Sequence, residues 1–410
     1  MEQTNEQRRL LDGRCVLILD HAIIVNRIPV HGPGLNLFSA LQAFGPRSVE
    51  YFAHCLNNEN RTYYAEWDAR GKSSRFRGLA LWRLPRLVGF LYCAVYSVLA
   101  FIWHRHDLCI AVNPLNFMAA RVLQVLGRVN KIVLYSADYS VQRFDSRVLN
   151  RVYHWLDNFA LRHADEVWGV SQAICNLRRA HGVPAERNWH IPNGPVLTQF
   201  SPKKDEEITR HQIVYVFGAN TRASDLMVKH HFDWVFQALE RLTEKDSRIR
   251  LLLIGRGDFR ETFERVMPLG ALAGYVDFLD IEERGAFVKK LCESAIGIAL
   301  YDLSGAEHLR YGDSMKLREY FAAGLPSITT PGHSVADEVA GHSLGAVVRT
   351  SAECLDALDR LLHDDVHFFA LRKRVLAYAQ ATDKAVLAAA AIARIFPGKP
   401  RMGPTQTAPK

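Results

Sequence analysis

The chain has 410 residues, 49% of them hydrophobic and 23% charged. That balance suits two or three globular domains and excludes wholesale disorder, a collagen-like repeat and a multi-span membrane protein. The formal charge of +8 is uneven: Lys and Arg outnumber Asp and Glu by 23 to 15 in residues 1–200 and match them at 28 each in residues 201–410. The basic half is therefore expected to meet something anionic.

Seven cysteines are scattered without a CxxC pair, and the N-terminus MEQTNEQRRLLDGR is polar. Neither a disulfide framework nor a zinc site is expected, and the pattern fits a reducing, cytoplasmic setting. Apolar runs rich in Val, Ile and Leu recur at 15–20, 108–112, 131–135, 166–170, 213–217, 250–255 and 295–300, each followed by a stretch of helical periodicity. Continuous apolar strands alternating with helices predict parallel sheets covered on both faces, the doubly wound α/β class. The two series place one domain at 1–198 and a second at 211–370, with a polar linker between. Ala-rich helices at 371–397 are expected to cross back to the first domain, and a Pro- and Gly-bearing tail at 398–410 to be disordered.

At the end of the first strand stand Asp20 and His21, followed by HGPGLNLFSAL (31–41). Gly32 and Gly34 suit either a loop that approaches a ligand or a simple turn before a helix. Leu87 to Trp103 is a run of 17 uncharged residues, short for a membrane span. A buried helix and a helix lying in a membrane interface both fit. A span is rejected, because it would split the first sheet between compartments. Residues 61–105 hold eight Lys or Arg against two acidic residues, with Trp82, Trp103, Tyr92 and Tyr96 among them. Basic residues beside interfacial aromatics point to an anionic membrane surface. Nucleic acid is not expected, since no stacking platform accompanies the charge.

Asn113-Pro114 should form a turn after the strand at 108–112. Asp138, in KIVLYSADYSVQRF (131–144), lies just past a strand's carboxyl end, where open α/β sheets bind ligands. It reads either as a turn or N-cap residue or as a general base.

The most informative stretch is GDSMKLREYFAAGLPSITTPG (312–332). Asp313 or Ser314 should cap a helix that runs to Ala323, with Gly324 and Pro326 ending it. Lys316 is a cation in the first turn, disfavoured by the helix dipole by about 0.3–1 kcal/mol. A phosphate at that N-terminus would reverse the sign. Glu319 follows on the same face, placed to accept hydrogen bonds from ribose hydroxyls.

Ser314, Lys316, Glu319, Tyr320, Ala322, Gly324 and Pro326 resemble the nucleotide-sugar signature of GT-B fold glycosyltransferases. The segment 164–195, ending in I-P-N-G, is similar to the family-4 (group 1) pattern, as are IVYVFGAN (213–220) and RLLLIGRG (250–257). The resemblance implies two Rossmann-like domains facing a cleft, with a nucleoside-diphosphate sugar on the C-terminal domain and a glycan or lipid-linked acceptor on the N-terminal one. It implies donor contacts from Gly255, Gly257, Ser314, Met315, Lys316 and Glu319, with Tyr311 beside them; Arg222, after the Gly218 loop, reads either as a diphosphate contact or as a solvent-exposed arginine. Asp138 is the candidate base of an inverting reaction. Gly32 and Gly34 fit the loop that GT-B folds bring near the donor phosphates or the acceptor, Asn113 stands in a cleft-side turn, and Asp20 and His21 read either as cleft-facing or as structural residues. No metal and no tightly bound cofactor is expected, since no DxD triplet follows a strand.

Retaining family-4 enzymes usually carry Glu eight positions before the ribose Glu. Here that residue is Tyr311, which resembles inverting enzymes such as exopolysaccharide glucuronosyltransferases, and the stereochemical outcome stays open. The expected activity is sugar transfer to a lipid-linked or polysaccharide acceptor at the cytoplasmic membrane face. A non-catalytic membrane-docking scaffold is the alternative, and a 2-epimerase is a third.

Overall fold

A computed structural model describes residues 9–397 apart from 26–27, 30–31, 56–60, 80–85, 218–230, 256–258, 281–283 and 304–306. The chain divides into two units. One runs to Asn193 and resumes at Lys384, and the other is Gly194–Asp383.

In the first unit the strands are β1 (Cys15–Ala22), β2 (Ile24–Val25), β3 (Ile28–Pro29), β4 (Ser48–Cys55), β5 (Thr62–Asp68), β6 (Gly71–Arg77), β7 (His106–Val112), β8 (Val129–Ser136), β9 (Glu166–Gly169) and β10 (Asn188–His190). Among the described residues, eight of them form one sheet in the order β10-β9-β8-β7-β1-β4-β5-β6, and β2 pairs with β3. Strands from β10 to β4 run parallel, while β5 and β6 add an antiparallel edge. The apolar runs foreseen at 15–20, 108–112 and 131–135 lie in β1, β7 and β8, buried almost throughout because helices cover both faces.

The second unit carries β11 (Gln212–Val216), β12 (Arg250–Gly255), β13 (Val276–Asp280), β14 (Ile296–Ala299), β15 (Ser327–Thr329) and β16 (Gly345–Val347). They form a parallel sheet in the order β13-β12-β11-β14-β15-β16. Apolar side chains fill both of its faces.

The domain edges differ from the sequence expectation. Residues 194–210 belong to the second unit: Phe200 is buried there, and Arg372 donates from Nη2 to the Lys203 carbonyl at 2.6 Å and from Nε to Asp205 at 3.1 Å. The helix Asp365–Ala381 is held to the same unit through buried Arg372 and Val375. Only Lys384–Ile395 packs on the first unit, where the fully buried Lys384 donates to Pro33 O at 3.2 Å and Tyr135 Oη at 3.0 Å. By length and composition Asp365–Ile395 could cross a membrane, but residues 382–383 break it into these two helices. The tail 398–410 lies outside the described residues.

The uncharged run becomes the helix Arg86–Phe101 and is neither wholly buried nor wholly exposed. Cys93, Ser97 and Phe101 face inward, while Leu91, Val95 and Leu99 face outward.

Candidate functional site

In the second unit the chain order reverses between β11 and β14, the place where open α/β sheets bind ligands at their strands' carboxyl ends. The helix Met315–Ala323 starts beside it. Ser314 is the N-cap, its hydroxyl accepting from Leu317 N at 3.3 Å, and Gly324 closes the helix at φ 80°. Tyr320 explains how the helix is fixed. Its hydroxyl accepts from Val216 N on β11 at 2.9 Å and donates to Ile298 O on β14 at 3.1 Å. The ring lies where a Cβ on Gly297 would stand, 2.4 Å from its nearest atom.

Behind the cap, Arg318 grips Asp313 at 2.9 Å and Glu338 at 2.7 and 2.8 Å, so the turn that presents Ser314 is held by a buried network. Ser314 Oγ and Tyr301 Oη lie 2.7 Å apart. Lys316 is half-buried against two aromatic faces, its Nζ 5.7 Å from the Tyr215 ring centre and 5.6 Å from that of Tyr301. No described carboxylate pairs with it, and burial lowers its ammonium to about 8. An unneutralised lysine at a helix N-terminus is an anion-binding arrangement.

Glu319 is buried and paired with Arg284, the first residue of the helix that follows β13. The Arg284 Nε and Nη2 atoms are buried and have no protein partner among the described residues. The ion pair therefore leaves donors for a further acceptor. Tyr311 ends a short helix, Glu307–Tyr311, just before the cap, and Met315 is the first residue of the capped helix. Gly255 closes β12, but the space above it is taken by the Phe259 ring, 2.2 Å from an added Cβ. Its lack of a side chain is required by the chain's own packing against Phe259. Gly257 and Arg222 lie outside the described residues.

The first unit has its own reversal, between β1 and β7. Asp20 and His21 end β1, and Asn113 opens the helix Asn113–Val125 directly after β7 with φ 67°. Asn113 Oδ1 accepts from Ala137 N at 3.0 Å, tying the loop after β8 to this turn. Asn116, one turn on, bonds His21 Nδ1 at 2.9 Å. Gly32 caps the helix Pro33–Leu41, and Gly34 makes room for Asp20, whose Oδ2 lies 2.2 Å from where a Cβ would stand.

Asp20 accepts from Tyr51 Oη at 2.9 Å and from the His21 amide at 2.7 Å, yet burial lifts its carboxyl to about 6 against those bonds. Burial, then the charge of Arg143, hold His21 down at about 4. Asp138 is partly exposed and accepts from Arg143 Nη1 at 3.0 Å. It caps no helix, because Ser146 caps Arg147–His163. Asp20, His21, Asn113, Asn116, Asp138 and Arg143 thus gather at the carboxyl ends of β1, β7 and β8.

Tyr301, Arg284, Asn116 and His333 were not singled out from the sequence. His333 caps the helix Ser334–Gly341 through Nδ1 and sits 2.9 Å from Thr329 Oγ1, and burial holds it at about 4. A polar residue just past an apolar strand was the available signal for Tyr301 and Asn116. Arg284 gave none, since its partner is 35 residues away.

Among the described residues no group of three or more His, Cys, Asp or Glu could hold a metal ion. Residues 35–194 match the Glycosyl transferase 4-like domain family and residues 219–364 match Glycosyl transferases group 1. No curated protein sequence matches the chain. Similar solved structures include the sucrose-phosphate synthase of Thermosynechococcus elongatus (17% identity, 93% of this chain and 99% of that one, TM-score 0.66). The UDP-forming α,α-trehalose-phosphate synthase of Burkholderia vietnamiensis has 17% identity, coverage of 93% and 98%, and a TM-score of 0.63. Anabaena HepE in complex with UDP-glucose has 15% identity, coverage of 93% and 99%, and a TM-score of 0.60. With two doubly wound units of this order, and both halves matched in sequence, the chain is a glycosyltransferase of GT-B fold, a Glycosyl transferase 4-like domain followed by a Glycosyl transferases group 1 domain.

Proposed function

We propose that the protein transfers a sugar from a UDP-sugar to a hydroxyl of a lipid-linked or polysaccharide acceptor at the cytoplasmic face of a membrane. The observation that carries the donor half is Lys316, a half-buried ammonium with no described carboxylate partner at a capped helix N-terminus. The solved complexes of HepE with UDP and UDP-glucose support uridine as the base. Glu319, steadied by Arg284, would take the ribose hydroxyls. Ser314, Met315 and Lys316 would take the diphosphate, with Tyr311 beside them.

The acceptor oxygen forms a bond to the anomeric carbon as the bond from that carbon to the diphosphate oxygen breaks. Lys316 stabilises the charge that develops on the leaving diphosphate. In an inverting displacement, in keeping with Tyr311 standing where retaining relatives have Glu, Asp138 would take the acceptor proton as the bond forms. The basic first half would bring the protein to an anionic leaflet.

Thermal-shift measurement with UDP-, GDP- and ADP-sugars tests the donor half. Stabilisation by the uridine series, lost in Lys316→Ala, is expected. Equal stabilisation of both proteins would sink the assignment, and no response to any nucleotide would favour a non-catalytic scaffold.

A further inference from the structure

We infer that the protein lies on an anionic bilayer through the outer face of three adjacent helices of the first unit, Arg86–Phe101, Asn113–Val125 and Arg147–His163. This rests on the membrane-face reading above and moves the contact from the 61–105 segment to a surface reaching residue 163. The three helices pack side by side on one face of the sheet. Their inner sides share one core, including Phe101, Phe117, Leu123 and Leu161. The first helix is also pinned from within by Ser97 Oγ, 2.9 Å from His54 Nε2.

Their outer sides should be polar in a protein surrounded by water, and they are not. Leu91 is 66% exposed, Leu99 60%, Trp103 81%, Val125 74%, Val148 65% and Trp155 60%. Among the described residues, every exposed large hydrophobic side chain except Val266 and Val366 lies between Leu79 and Trp155. The second unit, built on the same plan, shows no comparable face among its described residues. An apolar surface confined to one helical layer marks an interaction site.

Charge selects the occupant. Residues 79–163 contain ten Lys or Arg against four Asp; with the Arg143–Asp138 and Lys131–Asp165 pairs and the buried Asp157 set aside, eight cations stand against Asp107 and Asp145. A second copy would bring like charge against like charge across the same face. An anionic leaflet accepts both the cations and the apolar side chains, with Trp103 and Trp155 suited to the headgroup level. The strand pair β5–β6 is less free to act: the Arg75 and Arg77 guanidinium groups lie 5.2 and 4.2 Å from the Tyr64 ring centre.

Co-sedimentation with vesicles of phosphatidylcholine alone, and of phosphatidylcholine with an equal share of phosphatidylglycerol, tests this. The full-length protein should pellet with the second and hardly with the first. Leu99→Gln and Trp155→Ala, both at exposed positions, should each lower partitioning about tenfold, while Arg75→Gln should change it little. Binding that survives both helix variants and falls with Arg75→Gln would place the contact on the strand pair and overturn the inference. So would vesicle indifference with a concentration-dependent dimer that Trp155→Ala dissolves. The UDP thermal shift, read on the same samples, separates the two readings: vesicle binding without a nucleotide response removes only the donor assignment, and the converse removes only the docking face.

Discussion

Asn116 donates one amide hydrogen to the Val112 carbonyl at 2.8 Å and the other to His21 Nδ1 at 2.9 Å. A carbonyl only accepts, so the atom facing it is the amide nitrogen, and Nδ1 must then accept as well. The neutral imidazole consequently carries its proton on Nε2, which is buried and has no protein partner among the described residues. With its ionisation held at about 4, His21 stays neutral at physiological pH and presents a hydrogen-bond donor. It is not built to be the base. His21→Gln, which keeps an N–H near the Nε2 position, should retain most of the transfer rate, and His21→Ala should lose about tenfold to a hundredfold. The pH–rate profile should show no limb between pH 5 and 8 that disappears in His21→Gln. Finding such a limb would make His21 a proton acceptor.

Lys316 links donor binding to pH. Its folded value of about 8 lies below the ordinary 10.5, so without nucleotide the folded protein binds fewer protons than the unfolded chain between those values. The cost of burying the ammonium is fully present below pH 8 and fades as pH rises toward 10.5. A bound diphosphate restores the proton, so UDP affinity should fall as pH climbs through about 8, by up to about tenfold per pH unit. Calorimetry in buffers of different ionisation enthalpy should detect proton uptake near pH 8. Lys316→Met should abolish the uptake, and an unchanged uptake would assign it elsewhere.

Glu319 and Lys316 are expected to hold different parts of the donor, and pyrophosphate tells them apart. Glu319→Ala should weaken UDP about tenfold to a hundredfold, the scale of one or two hydrogen bonds to a charged group, and leave pyrophosphate binding near its original value. Lys316→Ala should weaken both. Competition between UDP and pyrophosphate, measured by equilibrium dialysis, gives the comparison. Equal losses of both ligands in Glu319→Ala would indicate that the carboxylate only supports the helix through Arg284.

The strand-and-helix rhythm was legible in the sequence because parallel strands such as Val16–Leu19 and Leu251–Ile254 are buried on both faces and read as unbroken apolar runs. The Ser314 cap and the Gly324 stop were legible for local reasons: both act within one turn of the backbone. What was not legible depends on distant partners. The segment 194–210 looks like a polar linker until Arg372 reaches back to Lys203 and Asp205. The demand for glycine at 255 that comes from the Phe259 ring, four residues on, was likewise not legible in the sequence. The uncharged run at 87–103 offered burial or exposure as alternatives, whereas a helix has two sides and this one uses both.

The loop that bears Asp138 hangs from a buried ion pair. Arg178 reaches Asp157 Oδ1 at 2.9 Å and Ser136 Oγ at 3.2 Å, and both charged residues are almost wholly buried. Removing one partner strands the other, so Asp157→Ala should cost about 3–5 kcal/mol in denaturant unfolding. Ser136→Ala should cost about 1 kcal/mol, since the ion pair itself survives. A loss in Asp157→Ala no greater than that in Ser136→Ala would mean that the pair adds little to the fold.

Tyr320 offers a sharper test of how the donor helix is placed, because its two hydrogen bonds reach both strands at the reversal. Tyr320→Phe leaves Val216 N–H buried without its acceptor, a cost of about 1–3 kcal/mol. Gly297→Ala attacks the same contact from the other side by forcing a methyl into the ring, an overpacking cost of about 1–3 kcal/mol. Because the residues touch, the losses should not add: the double variant should be less destabilised than the sum of the singles. Both single variants should also weaken UDP, since Lys316 rides on the same helix, one turn from Tyr320. Urea unfolding with and without UDP measures both effects in one experiment. If the stability losses are strictly additive and UDP affinity is untouched, the Tyr320 anchor has no part in holding Lys316 where the diphosphate would bind.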